Sequence, residues 1–116
     1  MPSELLKQIK AADKPTLTPV EVPEWGVTVY LKQMTVGERD SFEQEMSQRV
    51  KGNQLDNPRS RFLVRVLCDE KGQPLCSVDE FAELASLGSK PMERLFEAAQ
   101  KTNRMGDDDL EELAKN

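Results

Sequence analysis

The spacing of hydrophobic and polar positions changes several times along this chain, and each change marks an element. Residues 3–12, SELLKQIKAA, read as a short helix with Ser3 at its N-cap. Pro15, Pro19 and Pro23 follow at four-residue spacing, so 13–24 must be extended or looping. From Val27 to Lys32 apolar and polar residues mostly alternate. Val27, Val29 and Leu31 then face one side, and Thr28, Tyr30 and Lys32 the other, the period-two pattern of a strand with one buried face. TLTPVEV supplies a partner strand, with a turn at Pro23-Glu24-Trp25-Gly26 and prolines that confine it to a sheet edge.

Helices are expected after the hairpin. Thr35 stands three residues before Glu38, the spacing of a capping box, in which each side chain bonds the other residue's backbone N–H. The helix so opened carries Phe42, Met46 and Val50 on one stripe and ends near Gly52. Asn57-Pro58 forms an N-cap and N1 pair for a helix over 58–68. Phe62, Leu63, Val66 and Leu67 make its apolar face, with Arg59, Arg61 and Arg65 partly or wholly off it. Asp69 to Pro74 is a surface turn. Ser77 and Glu80 repeat the capping-box spacing ahead of a helix with Val78, Phe81, Leu84 and Ala85. Gly88-Ser89-Lys90-Pro91 breaks that helix, with Ser89 as N-cap of the next, over 90–103, which buries Met92, Leu95, Phe96 and Ala99. Asp107 to Ala114 adds a terminal helical turn or two, with Leu110 and Leu113 as its apolar contacts.

The expected fold class is mainly α (α+β): one small domain over 1–116, with about five short helices and an N-terminal two-stranded β-hairpin. An isolated hairpin is marginal in water. It must therefore pack on the helices or pair with a strand of another subunit.

Composition narrows the chemistry. Of 116 residues, 37% are hydrophobic and 32% charged, which gives an economical core and a heavily charged surface. No apolar run approaches the roughly 18 residues of a membrane span. The N-terminus has neither the apolar stretch of a secretory signal nor the acid-poor character of a transit peptide, so cytoplasmic residence is expected. The net charge of -5 disfavours broad binding to phosphate backbones. The helix PMERLFEAAQK sets Glu93 and Glu97 beside Arg94 and Lys101, which fits an αα-hairpin supplying core better than a DNA-reading helix.

The chain contains no His, the commonest general base and metal ligand. It has no phosphate-cradling glycine loop, and its acidic pairs sit at helix starts and on polar faces. Cys68 and Cys76 lack further ligands at zinc spacing and are expected as free thiols. The expectation is no enzyme, no cofactor, no metal, no nucleic acid and no membrane. Protein contact remains, and Trp25, Tyr30, Leu110 and Leu113 are its candidate residues because aromatic and apolar anchors dominate interfaces. For Trp25 the competing role is as a cap on the small core.

One stretch identifies more than it folds. VPEWGVTVYLKQMTVGERDSFE resembles the N-terminal signature of tail assembly chaperones from long-tailed, lambda-like bacteriophages (siphoviruses) and prophages. Pro23, Glu24, Trp25, Gly26, Val29, Met34, Thr35, Glu38, Arg39, Asp40, Phe42 and Glu43 match that signature. The second half, from VLCDEKGQPLC to the closing EELAKN, is similar to the rest of the family pattern in the same order. Val27 departs from it where a second glycine is common, and Arg104 is a polar residue ahead of Met105-Gly106.

The resemblance implies a protein that coats the long, largely helical, aggregation-prone tape measure protein and keeps it soluble. It would help recruit tail tube protein through a longer frameshifted form, self-associate into an oligomer or spiral, and be displaced before the virion matures. Its place would be the cytoplasm of the bacterial host. The alternatives are a structural minor tail or head–tail connector protein, and an acidic adaptor for a host protein.

Overall fold

The computed structural model describes residues 3–14, 16–47 and 56–104. The chain runs α1 (Glu4–Ala12), β1 (Thr18–Val22), β2 (Val27–Leu31), α2 (Val36–Ser47), α3 (Pro58–Val66), β3 (Leu67–Cys68), a 3-10 turn (Val78–Glu80), α4 (Phe81–Ala85) and α5 (Ser89–Thr102). Five helices thus accompany a three-stranded antiparallel sheet of order β1-β2-β3. The expected terminal turn with Leu110 and Leu113, and the expected helix end at Gly52, lie outside the described residues.

The hairpin forms where proline and glycine direct it. Val22 pairs with Val27 and Thr18 with Leu31. Between the strands, Trp25 N–H donates to Val22 O at 3.0 Å and Gly26 N–H to Pro23 O at 3.2 Å. Gly26 has φ of 66°, a conformation that costs glycine nothing. Pro19 lies on the edge strand, where a missing N–H does least harm.

The second strand partner comes from this same chain. β3 pairs with β2 at Tyr30↔Cys68 and Leu31↔Leu67. Local periodicity extends the preceding helix to residue 68, but Leu67 turns extended at φ −76° and ψ 130°. Two residues of ladder satisfy the open edge of β2, a gain a local pattern cannot display.

α3 is the axis of the fold. Ser60, Phe62, Leu63, Val64, Arg65 and Val66 are all buried, so the helix is enclosed on most sides rather than on one stripe. The Phe62 ring meets Phe42 of α2 at 5.7 Å and Phe96 of α5 edge-on at 5.9 Å. Arg65, expected off the apolar face, is only 5% exposed. It is tolerated because both terminal nitrogens of its guanidinium and one of its faces have partners. Nη1 donates to Arg61 O at 2.7 Å, Nη2 lies 3.4 Å from Glu45 Oε2, and the Phe42 ring centroid is 5.3 Å away.

The helix starts differ in detail from expectation. Glu38 N–H donates to Thr35 Oγ1 at 3.1 Å, and Thr35 N–H to Glu38 Oε1 at 2.9 Å. Burial acts to raise the Glu38 pKa, but hydrogen bonds from Lys32 and Thr35 outweigh it and hold the group below its ordinary value. The second box is present as well, with the Ser77 side chain facing the Glu80 backbone and the Glu80 carboxylate reaching back. Glu80 Oε1 accepts from Ser77 N–H at 2.8 Å and from the Ser77 hydroxyl at 3.1 Å. Glu80 N–H also donates to Ser77 O at 3.0 Å, the tighter closure of a 3-10 turn. Asn57 caps with backbone alone, in a left-handed conformation with φ of 51°. Gly88, not Ser89, caps α5. Pro91 sits in that helix's first turn, where an N–H would have no partner inside the helix.

Candidate partner-binding surfaces

Chemistry of the reacting kind is missing from the described residues. No group of three or more His, Cys, Asp or Glu there is placed to hold a metal ion. Cys68 and Cys76 are free thiols, and burial pushes the pKa of both up, away from the reactive thiolate. Cys68 is committed locally, its Sγ 3.4 Å from Tyr30 O. No helix among the described residues is long and apolar enough to cross a membrane. Among the described residues, three apolar surfaces stand out as candidates for contact.

The first is the hairpin tip. Trp25 is half-buried and packs against the core, so its bulk serves the fold while one edge stays open. Tyr30 is also half-buried, opposite Pro19 on one side and Cys68 on the other. Val27, expected to be buried with Val29 and Leu31, is 52% exposed. It closes the last pair of the hairpin, where its cross-strand neighbour Val22 takes the buried place. A hollow of about 240 Å³ lies here, between Val22, Pro23, Gly26 and Val27. Glu24 anchors the tip to α5: its two carboxylate oxygens accept from Arg94 Nη1 and Nη2 at 2.6 and 2.8 Å. Those bonds draw the Glu24 pKa from 4.5 down to about 2. Leu110 and Leu113 lie outside the described residues.

The second surface is a groove of about 360 Å³ where the start of α3, the end of α4 and the start of α5 meet. Leu63, Leu84, Leu87 and Met92 give it an apolar lining, and Arg59 and Glu93 supply its charges. Arg59 is steadied by the Phe96 ring, 5.2 Å from its centroid. The turn between α4 and α5 shapes one end: Leu87 N–H donates to Leu84 O at 3.1 Å, and the Ser86 hydroxyl to Glu83 O at 2.7 Å. Leu87 and Val78 remain exposed.

The third surface is α1. Ser3 Oγ accepts from Leu6 N–H at 3.1 Å and caps it. None of its residues is buried, and Leu5, Leu6 and Ile9 stand open to solvent at 65%, 40% and 53% exposure. At positions i, i+1 and i+4 they form one helical stripe. Sequence reading missed the groove because its residues come from three separate elements. The α1 stripe was legible as a helix, but nothing local says that its apolar side is unpaired.

Comparison with known proteins bears on what these surfaces serve. The chain is similar over 86% of its length, and 98% of the other's, to a solved structure of the bacteriophage HK97 tail assembly chaperone, at 29% identity and a TM-score of 0.58. No curated protein sequence shows significant similarity to it. The family model described as phage tail assembly chaperone matches residues 6–116. With nearly the whole chain matched, and a fold that offers apolar contact surfaces, this protein belongs to the phage tail assembly chaperones, a family of non-enzymatic chaperones.

Proposed function

We propose that this chain binds the tape measure protein of a long-tailed phage, keeps it soluble in the cytoplasm of the bacterial host, and helps recruit tail tube protein as the tube grows. In this reading it acts as a single domain over 1–116, self-associates along its client, and leaves before the virion is complete. The match over residues 6–116 carries the proposal. The surfaces agree with it. A long helical client presents rows of apolar side chains, which shallow apolar patches can hold and release. The hairpin tip offers such a patch in Val27 and the open edges of Trp25 and Tyr30. Leu110 and Leu113 are proposed as further contacts. The net charge of -5 keeps a coated client in solution by mutual repulsion.

The test is co-expression with the tape measure protein encoded beside it. The client should move from the pellet to the soluble fraction and co-purify with this chain. A client that is equally insoluble with and without it overturns the proposal. Mass spectrometry of purified particles separates the chaperone from a structural tail component, since only the latter stays in the virion.

A further inference from the structure

Two residues of the ERD run in the first half of the chain have no task in the fold. Glu38 caps α2 and Phe42, further on, fills the core, but Arg39 and Asp40 do neither. Both line a hollow of about 210 Å³ beyond the end of β2, together with Met34, Thr35, Val36 and Asn103. Its lining is unfinished. Val36 is 80% exposed, although Met34 on the same hollow is buried. Arg39 Nε is shut off from solvent and has no hydrogen-bond acceptor among the described residues. The Glu43 carboxylate stands 3.7 Å from it, too far for a hydrogen bond.

The start of α2 adds two open donors. The capping box holds the N–H groups of Thr35 and Glu38, and Arg39 N–H goes to Thr35 O. Those of Val36 and Gly37 have no acceptor inside the helix.

The chain itself delivers an occupant to this place. Asn103 lines the hollow and is fastened there, its Oδ1 accepting from Met34 N–H at 2.8 Å and its Nδ2 donating to Lys32 O at 3.3 Å. Arg104 follows with φ of 54°, a left-handed turn off the end of α5. Residues 105–116 therefore continue from the rim. Met105 is within about 7 Å of Asn103 along the chain and Asp107 within about 14 Å. One turn of α2 rises only about 5 Å, so both can reach its start.

Lining charge does not select the occupant, since Arg39 and Asp40 offset one another. Attachment does. A segment held by so short a tether acts at an effective concentration on the order of millimolar, which a free partner would have to exceed. The order of its residues fits as well. Met105, apolar and adaptable, comes first, where Met34 and Val36 need cover. Asp107, Asp108 and Asp109 come next, and carboxylates are favoured at a helix N-terminus.

We propose that this hollow seats the chain's own C-terminal segment. Met105 packs on Met34 and Val36, and the carboxylates of Asp107 to Asp109 meet the Val36 and Gly37 N–H groups and the Arg39 guanidinium. Leu110 and Leu113 then emerge at the end of the molecule where α2 starts, instead of beside the hairpin tip. The contact belongs to the free chain, and it stands or falls apart from tape measure binding.

The test is nuclear magnetic resonance on the full chain with labelled Met and Val methyl groups. The Met105 methyl, assigned through Met105→Leu, should give a nuclear Overhauser cross-peak to the Val36 methyls. The cross-peak should persist when labelled chain is mixed with an excess of unlabelled chain. Val36→Asp, at an exposed position, should move the Met105 methyl to the shift of a solvated methionine while the circular dichroism stays that of the parent. Asp107→Asn/Asp108→Asn/Asp109→Asn should move the amide resonances of Val36 and Gly37 more than those of Thr35 and Glu38, whose N–H groups the capping box already holds. A missing Met105–Val36 cross-peak overturns the proposal, as does a Met105 methyl that Val36→Asp leaves in place. So does a cross-peak that fades with the unlabelled excess, which would put a second copy's segment in the hollow. Val36 and Gly37 amides that ignore the triple change overturn the carboxylate contact.

Discussion

α1 and α3 are each nine residues long, and their sequences suggest opposite fates from those they meet. ELLKQIKAA has three large aliphatic residues and none of them is buried. PRSRFLVRV has three arginines, yet six of its residues are buried. Composition does not decide burial here; neighbours do. α3 is surrounded by α2, α4 and α5, and aromatic faces and carboxylates receive its guanidinium groups. Among the described residues, α1 meets no element that buries any of its side chains.

The strongest way to break this contrast is to hollow out α3. Phe62 is fully buried between Phe42 and Phe96, and Phe62→Ala leaves a cavity that two rings border. A loss of about 3–5 kcal/mol is expected in urea unfolding, a large share of a small domain's stability. A loss below about 1 kcal/mol would mean that α3 is not the axis of the core.

Next comes the charge that α3 buries. Glu45 serves two arginines at once, with Oε1 3.2 Å from Arg61 Nη1 and Oε2 3.4 Å from Arg65 Nη2. Glu45→Ala removes the counter-charge while Arg65 stays enclosed. The expected cost is about 2 kcal/mol, less than for a fully buried pair because Glu45 is partly open to water. A double-mutant cycle with Arg65→Met measures the coupling, and a value near zero would show that the ring and carbonyl contacts of Arg65 suffice without it.

These residues also mark how far the sequence could be read. The hairpin was legible because Pro19, Pro23 and Gly26 act on their own backbone, and the helices were legible because apolar spacing is a local property. β3 was not, because Leu67 and Cys68 become a strand only through Tyr30 and Leu31, nearly forty residues away. Arg65 was misplaced for the same reason, since its burial depends on a carboxylate in α2. At the candidate surfaces, Trp25 could be weighed as core or contact, but the groove could not be seen at all. It exists only once α3, α4 and α5 are assembled.

Asn103 tests a tie of that long-range kind with a smaller effect. Its Oδ1 accepts from Met34 N–H at 2.8 Å, and its Nδ2 donates to Ala99 O at 3.0 Å and Lys32 O at 3.3 Å. This fastens the end of α5 to the segment between β2 and α2. Asn103→Ala orphans a buried N–H, so thermal unfolding should reveal a loss of about 1–3 kcal/mol. An unchanged melting temperature would mean that solvent replaces the side chain.

The tie between Glu24 and Arg94 is exposed and should be read by titration rather than by stability. The folded carboxyl lies at about 2, below its ordinary 4.5, because Arg94 hydrogen-bonds to the ionised form. Its contribution is therefore complete above about pH 4.5 and fades as pH falls toward 2. The Glu24 carboxyl resonance should titrate at the low end of that window, and Arg94→Gln should return it toward the ordinary value. A Glu24 resonance that titrates normally in the parent chain would mean that the fork is not held in solution.

The smallest expected effect completes the contrast with α3. Leu5→Ser/Ile9→Ser removes two large aliphatic side chains, a change that in α3 would unfold the domain. In α1 both are solvent-exposed, so unfolding at high dilution should shift by no more than about 0.5 kcal/mol. Concentration then separates a side chain that does nothing from one that waits for a partner. If α1 packs on another copy, association adds stability by mass action, and the parent's melting temperature climbs with concentration while the variant's stays flat. A parent with a concentration-independent melting temperature would leave the α1 stripe without a role in self-association. A variant already destabilised at high dilution would place α1 on its own core, and the difference between the two helices would disappear.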